Sequence, residues 1–287
     1  MYTTQKALQL RLYIMIIRKL ERVLYTELRT MRKPLWVPSK ERVKQANITG
    51  FINAINNKQH TAINSYGELY RWSIENAQDF WAAVWNFSKI KSSREYKVVV
   101  DDLKKFPGAK WFSGARLNFA ENLLQYRDDQ LAFIFRGENQ KSAQMTYAQL
   151  YNAVAGTSEY LREIGVIAGD RVAAYMPNLI ETATAMLAAT SVGAIWSSCG
   201  SELGPMAVLD RLCQIGPKIL FTVDGYPYKG KIFDFLPNVE KIAKGLPSLK
   251  KVIVVSHMEK RPNTRNIPNS TLYSDFTTKE SRRKIRF

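Results

Sequence analysis

The sequence contains four side chains of the Cys and His types that structural zinc sites use: Cys199, Cys213, His60 and His257. The two cysteines lie 14 positions apart, and neither histidine stands at a zinc-ligand spacing from them. One cysteine pair makes at most a single disulfide, which is not the framework of a disulfide-stabilised secreted domain. The sequence therefore predicts no metal site, and it predicts a reducing cytoplasm as the setting.

The candidates for acid–base or nucleophilic catalysis lack partners in the sequence. Glu181 and Asp210 have no paired acid and no histidine beside them, so we interpret them as helix-face or packing carboxylates. His257 follows an apolar run, which would place it at the carboxyl edge of a sheet, where α/β proteins bind ligands; a surface histidine is the favoured interpretation. Cys199 has no neighbouring base and is predicted to be a packed thiol. No catalytic residue is predicted.

Basic charge is concentrated at the two ends of the chain. The 287 residues carry 42 Lys and Arg against 25 Asp and Glu, a net charge of +17. Residues 1–45 hold 11 Lys and Arg against 3 Glu, and residues 279–287 hold 5 against 1, which leaves +5 for the 233 residues between them. Because the charge forms no stripe over a folded face and aromatic interleaving of the kind that binds single strands is missing, no nucleic-acid partner is predicted.

An amphipathic basic helix is predicted from Leu8 to Leu28, where apolar residues recur at helical spacing among lysines and arginines. Such a helix can contact a membrane surface or act as a transit segment. We favour an upstream extension of residues 1–30 without a role, because Met31 begins a segment that reads as an alternative start. The apolar stretch 12–17 is too short for a secretion signal, and no run of eighteen apolar residues occurs.

Residues 41–92 are predicted to be helical. One helix is expected over 41–57 and a second, rich in aromatic residues, over 66–87. An aromatic stripe at helical spacing most often packs in a core, so the aromatic residues of the second helix are predicted to be core rather than a cofactor-binding box. These residues are Tyr70, Trp72, Phe80, Trp81, Trp85 and Phe87.

From residue 130 onward, short apolar runs alternate with helical patterns. The runs are nearly continuous and rich in Val, Ile and Phe, which is typical of strands covered on both faces. The predicted strands are 131–135, 171–175, 194–198, 218–223 and 251–255, and the predicted helices are 147–164, 179–192, 205–215 and 231–244. The chain is thus predicted to be α/β, with a helical N-terminal segment followed by a largely parallel sheet with flanking helices.

Two stretches resemble acetyl- and acetoacetyl-CoA synthetases, which belong to the adenylate-forming superfamily. Residues 106–124 contain Trp-Phe and Leu-Asn-Phe-Ala-Glu-Asn, which resemble the acetoacetyl branch. Residues 193–211 begin Gly-Ala-Ile-Trp-Ser-Ser and end Val-Leu-Asp-Arg. Between these stretches, residues 145–150 and 186–193 are similar to the first two core motifs of the superfamily. The resemblance covers residues 34–278, about 85% of the chain.

The resemblance implies a ligase that uses ATP and Mg²⁺ to convert a carboxylate into an acyl-adenylate, and then transfers the acyl group to coenzyme A. The family's Ser/Thr-Gly-rich phosphate loop, which ends in Pro-Lys, has no counterpart in the sequence. The nearest stretch, 197–204, lacks the lysine. The family's Tyr-Gly-x-Thr-Glu motif, ribose-binding Asp and small C-terminal domain are also missing. We therefore expect an N-terminal fragment, an incomplete first subdomain that is inactive alone.

One binding element of the family carries over to this chain. In acetyl-CoA synthetase relatives, an Arg-x-Gly-Arg turn after a strand holds the 3′-phosphate end of coenzyme A; here Tyr228-Lys-Gly-Lys231 follows the strand that ends at Val223. The resemblance implies that Lys229 and Lys231 supply cations, and that Gly230 lets the backbone approach and opens a helix. Tyr228 and a lysine replace the two arginines, which weakens bidentate recognition. The alternative is two solvated lysines beside a turn.

Four segments are predicted: a basic extension, 1–33; an acetyl-CoA-synthetase-type N-terminal region, 34–125; a partial AMP-binding α/β subdomain, 126–278; and a basic tail, 279–287. The resemblance implies a fragment of an acetoacetate–CoA ligase with small-molecule substrates. The alternative is a non-catalytic module that binds coenzyme A or a partner, alone or as the complement of a separate C-terminal half. The acyl substrate and the oligomeric state stay open.

Overall fold

A computed structural model describes residues 34–138, 141–277 and 284–287. The amphipathic helix expected from Leu8 to Leu28 lies outside the described residues. None of the described helices combines the length and apolar character that crossing a membrane would need. The chain divides into two compact units, 1–87 and 88–287, and each contains its own apolar cluster.

The first unit is helical in its described part. Its helices are α1 (Lys40–Lys44), α2 (Asn47–Gln59), α3 (Tyr66–Glu75) and α4 (Ala77–Phe87). The two long helices expected over 41–57 and 66–87 are each broken once, at Ala46 and at Asn76, where the backbone leaves the helical region. Helical periodicity survives one non-helical residue, so the sequence pattern alone does not reveal these breaks.

The aromatic residues of α3 and α4 are core residues only in part. Trp85 is buried, and Trp72 packs against the small apolar cluster of this unit. Tyr70, Trp81 and Phe87 are 58%, 43% and 41% exposed, so the prediction that the stripe lies in a core is wrong for these three. Aromatic side chains point to several sides of the two helices, and a helix buries only the side that faces a neighbour.

The second unit begins with two small antiparallel sheets. β1 (Val98–Val100) pairs with β2 (Trp111–Ser113); after the short helix α5 (Phe119–Leu123), β3 (Leu131–Arg136) pairs with β4 (Ser142–Thr146). The run at 131–135 is a strand as predicted, but its expected place in the parallel sheet is wrong. It bonds instead to the next strand along the chain, which is close enough in sequence for antiparallel pairing.

A parallel five-stranded sheet with flanking helices forms the body of this unit. The remaining elements are α6 (Tyr147–Glu163), β5 (Arg171–Tyr175), α7 (Ile180–Ser191), β6 (Ile195–Cys199), α8 (Pro205–Ile215), β7 (Ile219–Val223), β8 (Gly225–Tyr228), β9 (Lys231–Asp234), α9 (Leu236–Gly245), β10 (Lys251–Val255), β11 (Ser270–Leu272) and α10 (Ser274–Thr277). The spatial order of the sheet is β11-β10-β7-β5-β6, and every pair in it is parallel. The predicted α/β class and parallel sheet are confirmed.

Burial explains why these runs form interior strands. All five residues of β7 are buried, as are the last four of β5 and of β10. Helices cover them: α6 packs on α7, and α8 packs on α9. A capping box starts α6, because the Thr146 hydroxyl accepts the Gln149 N–H while the Gln149 side chain accepts the Thr146 N–H.

The last described residues, 284–287, also pack on this body. Ile285 is buried, and its N–H donates to the Tyr151 hydroxyl of α6 at 3.1 Å. The side chain of Arg162, also on α6, donates to the Arg286 carbonyl. This part of the predicted basic tail therefore contributes an apolar contact as well as charge.

Candidate functional site

The carboxyl edge of the parallel sheet is the candidate site. From β5 the chain crosses to β6 at one edge of the sheet, whereas from β7 it continues to β10 on the other side. The connections therefore leave two neighbouring strands, β5 and β7, in opposite directions. In open α/β sheets such a point leaves a crevice outside the carboxyl ends of the strands, where ligands bind.

A hairpin with a two-residue turn follows β7 at this edge. Tyr228 of β8 pairs with Lys231 of β9, so that Lys229 and Gly230 form the turn. Both turn residues have positive φ, 50° and 72°, the conformation that matches a tight turn to the twist of a hairpin. A Cβ atom added to Gly230 would meet nothing within 4 Å, so the space beside it is open. The structure thus brings Lys229, Gly230 and Lys231 together at one exposed tip.

The segment after this turn corrects a prediction. Lys231–Asp234 is strand β9, and the helix expected over 231–244 begins only at Leu236. Gly230 therefore does not open a helix, and the amino end of α9 is separated from it by the whole of β9. The reason is that pairing with β8 extends residues 231–234, while Pro237 in the first turn of α9 suits a helix that starts at that point.

Aromatic contacts hold the base of the hairpin on the sheet. The Phe235 ring stacks on that of Tyr175 with centroids 4.3 Å apart, and Tyr226 meets Phe235 edge-on at 5.3 Å. The Tyr226 hydroxyl donates to the Ser201 carbonyl at 3.1 Å, and the Tyr175 hydroxyl donates to the Leu203 carbonyl. Burial raises the pKa of Tyr175 to about 12, so this hydroxyl remains a donor at neutral pH. The loop after β6 is thereby held against the hairpin.

Asp224, directly after β7, joins the hairpin to the loop after β10. The residue is 5% exposed, and its carboxylate accepts the N–H groups of Gly225, His257, Met258 and Glu259 at 2.7–3.1 Å. Sequence reasoning missed this residue. The available signal was an aspartate next to a buried strand, because a carboxylate in such a place must find hydrogen-bond donors.

Glu138 and Lys141, which lie between β3 and β4 in the sequence, reach the same end of the sheet. Glu138 Oε2 accepts the N–H of Lys229 at 2.7 Å, and Lys141 Nζ donates to the His257 carbonyl at 2.7 Å. The Lys229 ammonium lies 5.2 Å from the centre of the Tyr228 ring. A carboxylate of the chain therefore accepts from the backbone of the turn that is predicted to receive a phosphate.

His257 lies at the carboxyl end of β10, two residues after the last residue of that strand, Val255. It is half-buried rather than fully on the surface, and its ring meets Phe135 edge-on at 6.4 Å. Burial, and then the charge of Lys141, lowers the pKa of His257. This histidine is therefore biased toward the neutral form at physiological pH.

The other candidate residues have packing or surface positions. Cys199 is buried, and burial raises the pKa of its thiol, so the prediction of a packed thiol is confirmed. Cys213 is exposed, and both cysteines are free. Glu181 is half-buried in the first turn of α7, and Asp210 is exposed on α8, as expected of helix-face carboxylates.

The hairpin tip carries exposed cationic side chains. Two exposed lysines flank a glycine beside which the space is open, and ammonium groups bind phosphate as point charges. Across residues 34–138, 141–277 and 284–287, no three His, Cys, Asp or Glu side chains come together in a group that could hold a metal ion.

Two family models match the chain. Residues 119–282 match the model described as AMP-binding enzyme, and residues 66–123 match that of the acetyl-coenzyme A synthetase N-terminus. The acetoacetyl-CoA synthetase of Danio rerio is 39% identical over 249 residues, which are 85% of this chain and 37% of the relative. The acetoacetyl-coenzyme A synthetase of Rhizobium meliloti (strain 1021) is 42% identical over 214 residues, 75% of this chain and 33% of the relative.

A solved structure agrees with these matches. The acetoacetyl-CoA synthetase from Streptomyces lividans superimposes with a TM-score of 0.80 at 35% identity, covering 89% of this chain and 39% of that protein. The chain spans about a third of the length of the curated relatives cited above, 37% and 33%. The matched region includes the parallel sheet, the hairpin and the loop after β10, so the chain belongs to the AMP-binding enzyme family.

Proposed function

We propose that the chain serves as the N-terminal part of an acetoacetate–CoA ligase. Support comes from its similarity to acetoacetyl-CoA synthetases of an animal and a bacterium over 75–85% of its length, together with the two family matches. In this reaction the acetoacetate carboxylate attacks the α-phosphorus of ATP and pyrophosphate leaves. The coenzyme A thiolate then attacks the acyl carbon, and AMP leaves.

The described residues would contribute the binding of coenzyme A at the hairpin tip. In this proposal Lys229 and Lys231 attract the 3′-phosphate, and Gly230 lets the phosphate approach the backbone. The observation that carries the proposal is the tip itself: a glycine-containing turn between two exposed lysines, supported beside the crevice where β5 and β7 diverge. The lysines act as point charges rather than bidentate clamps, so we expect modest affinity.

Titration of the chain with coenzyme A and with 3′-dephospho-coenzyme A tests this site. Lys231→Ala should weaken coenzyme A binding about fivefold, the effect of losing an exposed charge contact of about 1 kcal/mol, and should leave the dephosphorylated ligand unaffected. Lys250→Ala is the matched control. Lys250 is exposed and lies just before β10, at the amino ends of the strands, whereas the hairpin lies at their carboxyl ends. Equal affinities for the two ligands in the wild-type chain would contradict the proposed site.

We further propose that these 287 residues do not form an acyl-adenylate unaided. The sequence holds no Ser/Thr-Gly-rich loop ending in Pro-Lys, and a triphosphate needs such a cradle of backbone N–H groups beside a cation. Acetoacetate-dependent exchange of pyrophosphate into ATP should stay at background. Robust exchange by the purified chain would refute this statement.

The alternative is a module that binds coenzyme A without catalysis, alone or with a complementary chain. What favours it is that residues of this chain support the hairpin, because the Ser201 carbonyl accepts from Tyr226 and the N–H of His257 donates to Asp224. A mixing experiment distinguishes the ligase from the non-catalytic module. The chain is mixed with a polypeptide that carries the relatives' phosphate loop and C-terminal domain. Recovered exchange activity supports the ligase, whereas coenzyme A binding without recovery supports the module.

Two free cysteines agree with a cytoplasmic setting, which we also propose.

A further inference from the structure

We infer that Asp224 is a positioning residue, which holds the tip formed by Lys229, Gly230 and Lys231 in place by joining its hairpin to the loop after β10. The inference rests on the proposed function, in which that tip binds the 3′-phosphate of coenzyme A. Asp224 lies at the base of the hairpin and not at its tip. It acts on the lysines through the backbone of its neighbours.

Asp224 joins three segments through its backbone as well as its side chain. Its N–H donates to the Val255 carbonyl of β10 at 3.3 Å, and its carbonyl accepts the N–H of Phe235 at 2.9 Å. Phe235 directly follows β9. The backbone of Asp224 therefore connects the start of the hairpin to its end and to the neighbouring strand β10. The carboxylate then accepts three successive N–H groups of the loop at residues 257–259.

Tight packing at Gly225 couples the same two segments. A Cβ atom at this position would lie 2.7 Å from the carbonyl oxygen of Phe233 and 3.1 Å from Cγ of Met258. The first contact is with backbone, which cannot move away by changing a rotamer. This first contact lies within the hairpin, between β8 and β9, whereas the second shows that Met258 of the loop after β10 lies close to Gly225.

Removing the charge of Asp224 distinguishes a positioning role from a purely electrostatic one, because the two predict opposite changes in coenzyme A binding. Within the described part of the chain, none of the ion pairs includes Asp224, so backbone N–H groups stabilise its charge. Asparagine would keep one acceptor oxygen but would turn an NH₂ group toward N–H donors, which breaks part of the joint. Loss of a negative charge alone would strengthen binding of an anionic ligand. Positioning predicts the opposite sign.

The test compares the Kd values of coenzyme A and 3′-dephospho-coenzyme A, measured by calorimetry for the whole chain. The Kd of 3′-dephospho-coenzyme A divided by the Kd of coenzyme A is an affinity ratio. It exceeds one when the tip contacts the 3′-phosphate. Asp224→Asn should reduce this ratio toward one, with a loss of coenzyme A affinity of about tenfold, which corresponds to about 1.4 kcal/mol. Asp210→Asn, which removes the same charge from an exposed position on α8, should leave the ratio unchanged.

Hydrogen exchange gives a readout that needs no ligand. In Asp224→Asn, the amides of residues 257–259 and of β8 and β9 should exchange about tenfold faster or more, because their joint opens locally. The amides of β5 and α6 should keep their wild-type rates. If asparagine prevents folding, Asp224→Glu, which keeps the charge and displaces the carboxylate by one methylene, replaces it in both measurements.

The outcomes separate the inference from the proposed function. A wild-type ratio of one would overturn the phosphate site, and the inference with it. A wild-type ratio above one that Asp224→Asn leaves unchanged or raises would overturn the inference alone. Faster exchange throughout the second unit would also overturn it, since that result would show a general structural role.

Discussion

The backbone of Lys229 shows how a single residue depends on a partner far away in sequence. Its N–H donates to the carboxylate of Glu138, 91 positions earlier. Nothing in the local sequence around Tyr228–Lys231 predicts this contact. In the proposed coenzyme A site, the Glu138 carboxylate and the phosphate would compete for this N–H group.

Replacement of Glu138 tests that competition. Glu138→Gln removes a negative charge from the hairpin tip while keeping the size of the side chain, so coenzyme A should bind more tightly, by up to about fivefold for an exposed charge. Calorimetric titration measures the change. Glu240→Gln, on α9, is the control and should leave the affinity unaltered. Weaker binding by Glu138→Gln would mean that the contact supports the tip instead of competing for it.

His257 predicts a pH dependence at the same edge. Burial, and then Lys141, lowers its pKa below the usual 6.5. The unfolded chain therefore binds more protons than the folded chain between the lowered pKa and 6.5. The stability is unaffected by this group above pH 6.5 and falls as the pH drops through that interval.

NMR titration of the imidazole tests the cause of this shift. Lys141→Gln removes a positive charge, so the pKa of His257 should rise, whereas Lys250→Gln should not change it. Burial is the larger cause, so the pKa should remain below 6.5 in Lys141→Gln. A His257 pKa above 6.5 in the wild-type chain would contradict the structure.

Among the elements, the hairpin of β8 and β9 lies between the buried strand β7 and the next helix along the chain, α9. Its tip is exposed, and its base carries the buried ring of Phe235. Amphipathic spacing after Lys231 predicted a helix, but cross-strand pairing with β8 and the proline in α9 decided the local structure. Tertiary pairing often overrides a short local pattern.

Truncation of Phe235 measures how strongly the base is anchored. Phe235→Ala removes a ring that is 2% exposed and that contacts Tyr175 and Tyr226. The free energy of unfolding should fall by about 3–5 kcal/mol, as for other buried phenylalanines. Urea denaturation measures it. Phe233→Ala, which truncates a ring 41% exposed, should cost clearly less, and equal losses would argue against the aromatic anchor.

In the molecule as a whole, β11 and β6 are the two outer strands of the parallel sheet. No further strand of the described residues bonds to either of them. β6 stands at one of them, and Ile195 in that strand is 56% exposed. Leu131 and Ile134 of β3 are also exposed, at 46% and 60%. Edge strands with apolar side chains favour pairing with other chains, so the isolated chain should associate as its concentration rises.

A charge placed on the edge strand tests this expectation. Ile195→Lys should lower the weight-average mass seen by sedimentation at high concentration, because a lysine opposes edge-to-edge pairing. Ile167→Lys is the control, since Ile167 is 65% exposed but lies outside every strand. A wild-type chain that stays monomeric over the whole range would contradict the expected association.

The main elements of the second unit were predictable because continuous apolar runs and helical periodicity reflect burial directly. The predicted helix 205–215 and the predicted strands 171–175 and 251–255 coincide with α8, β5 and β10. The pairing of 131–135 was not predictable in the same way. A strand pattern shows that a segment is extended, but not which neighbour its N–H and C=O groups reach. The predicted burial on both faces is wrong for this strand, since Leu131 and Ile134 are exposed.

The sequence by itself determined the α/β class and the order of most helices and strands. These properties follow from side-chain size, polarity and spacing along the chain. Only the tertiary structure decided that Asp224 receives the loop at 257–259 and that Glu138 meets Lys229. Both contacts join residues more than thirty positions apart, and such partners are chosen by the packing of the whole sheet rather than by local sequence.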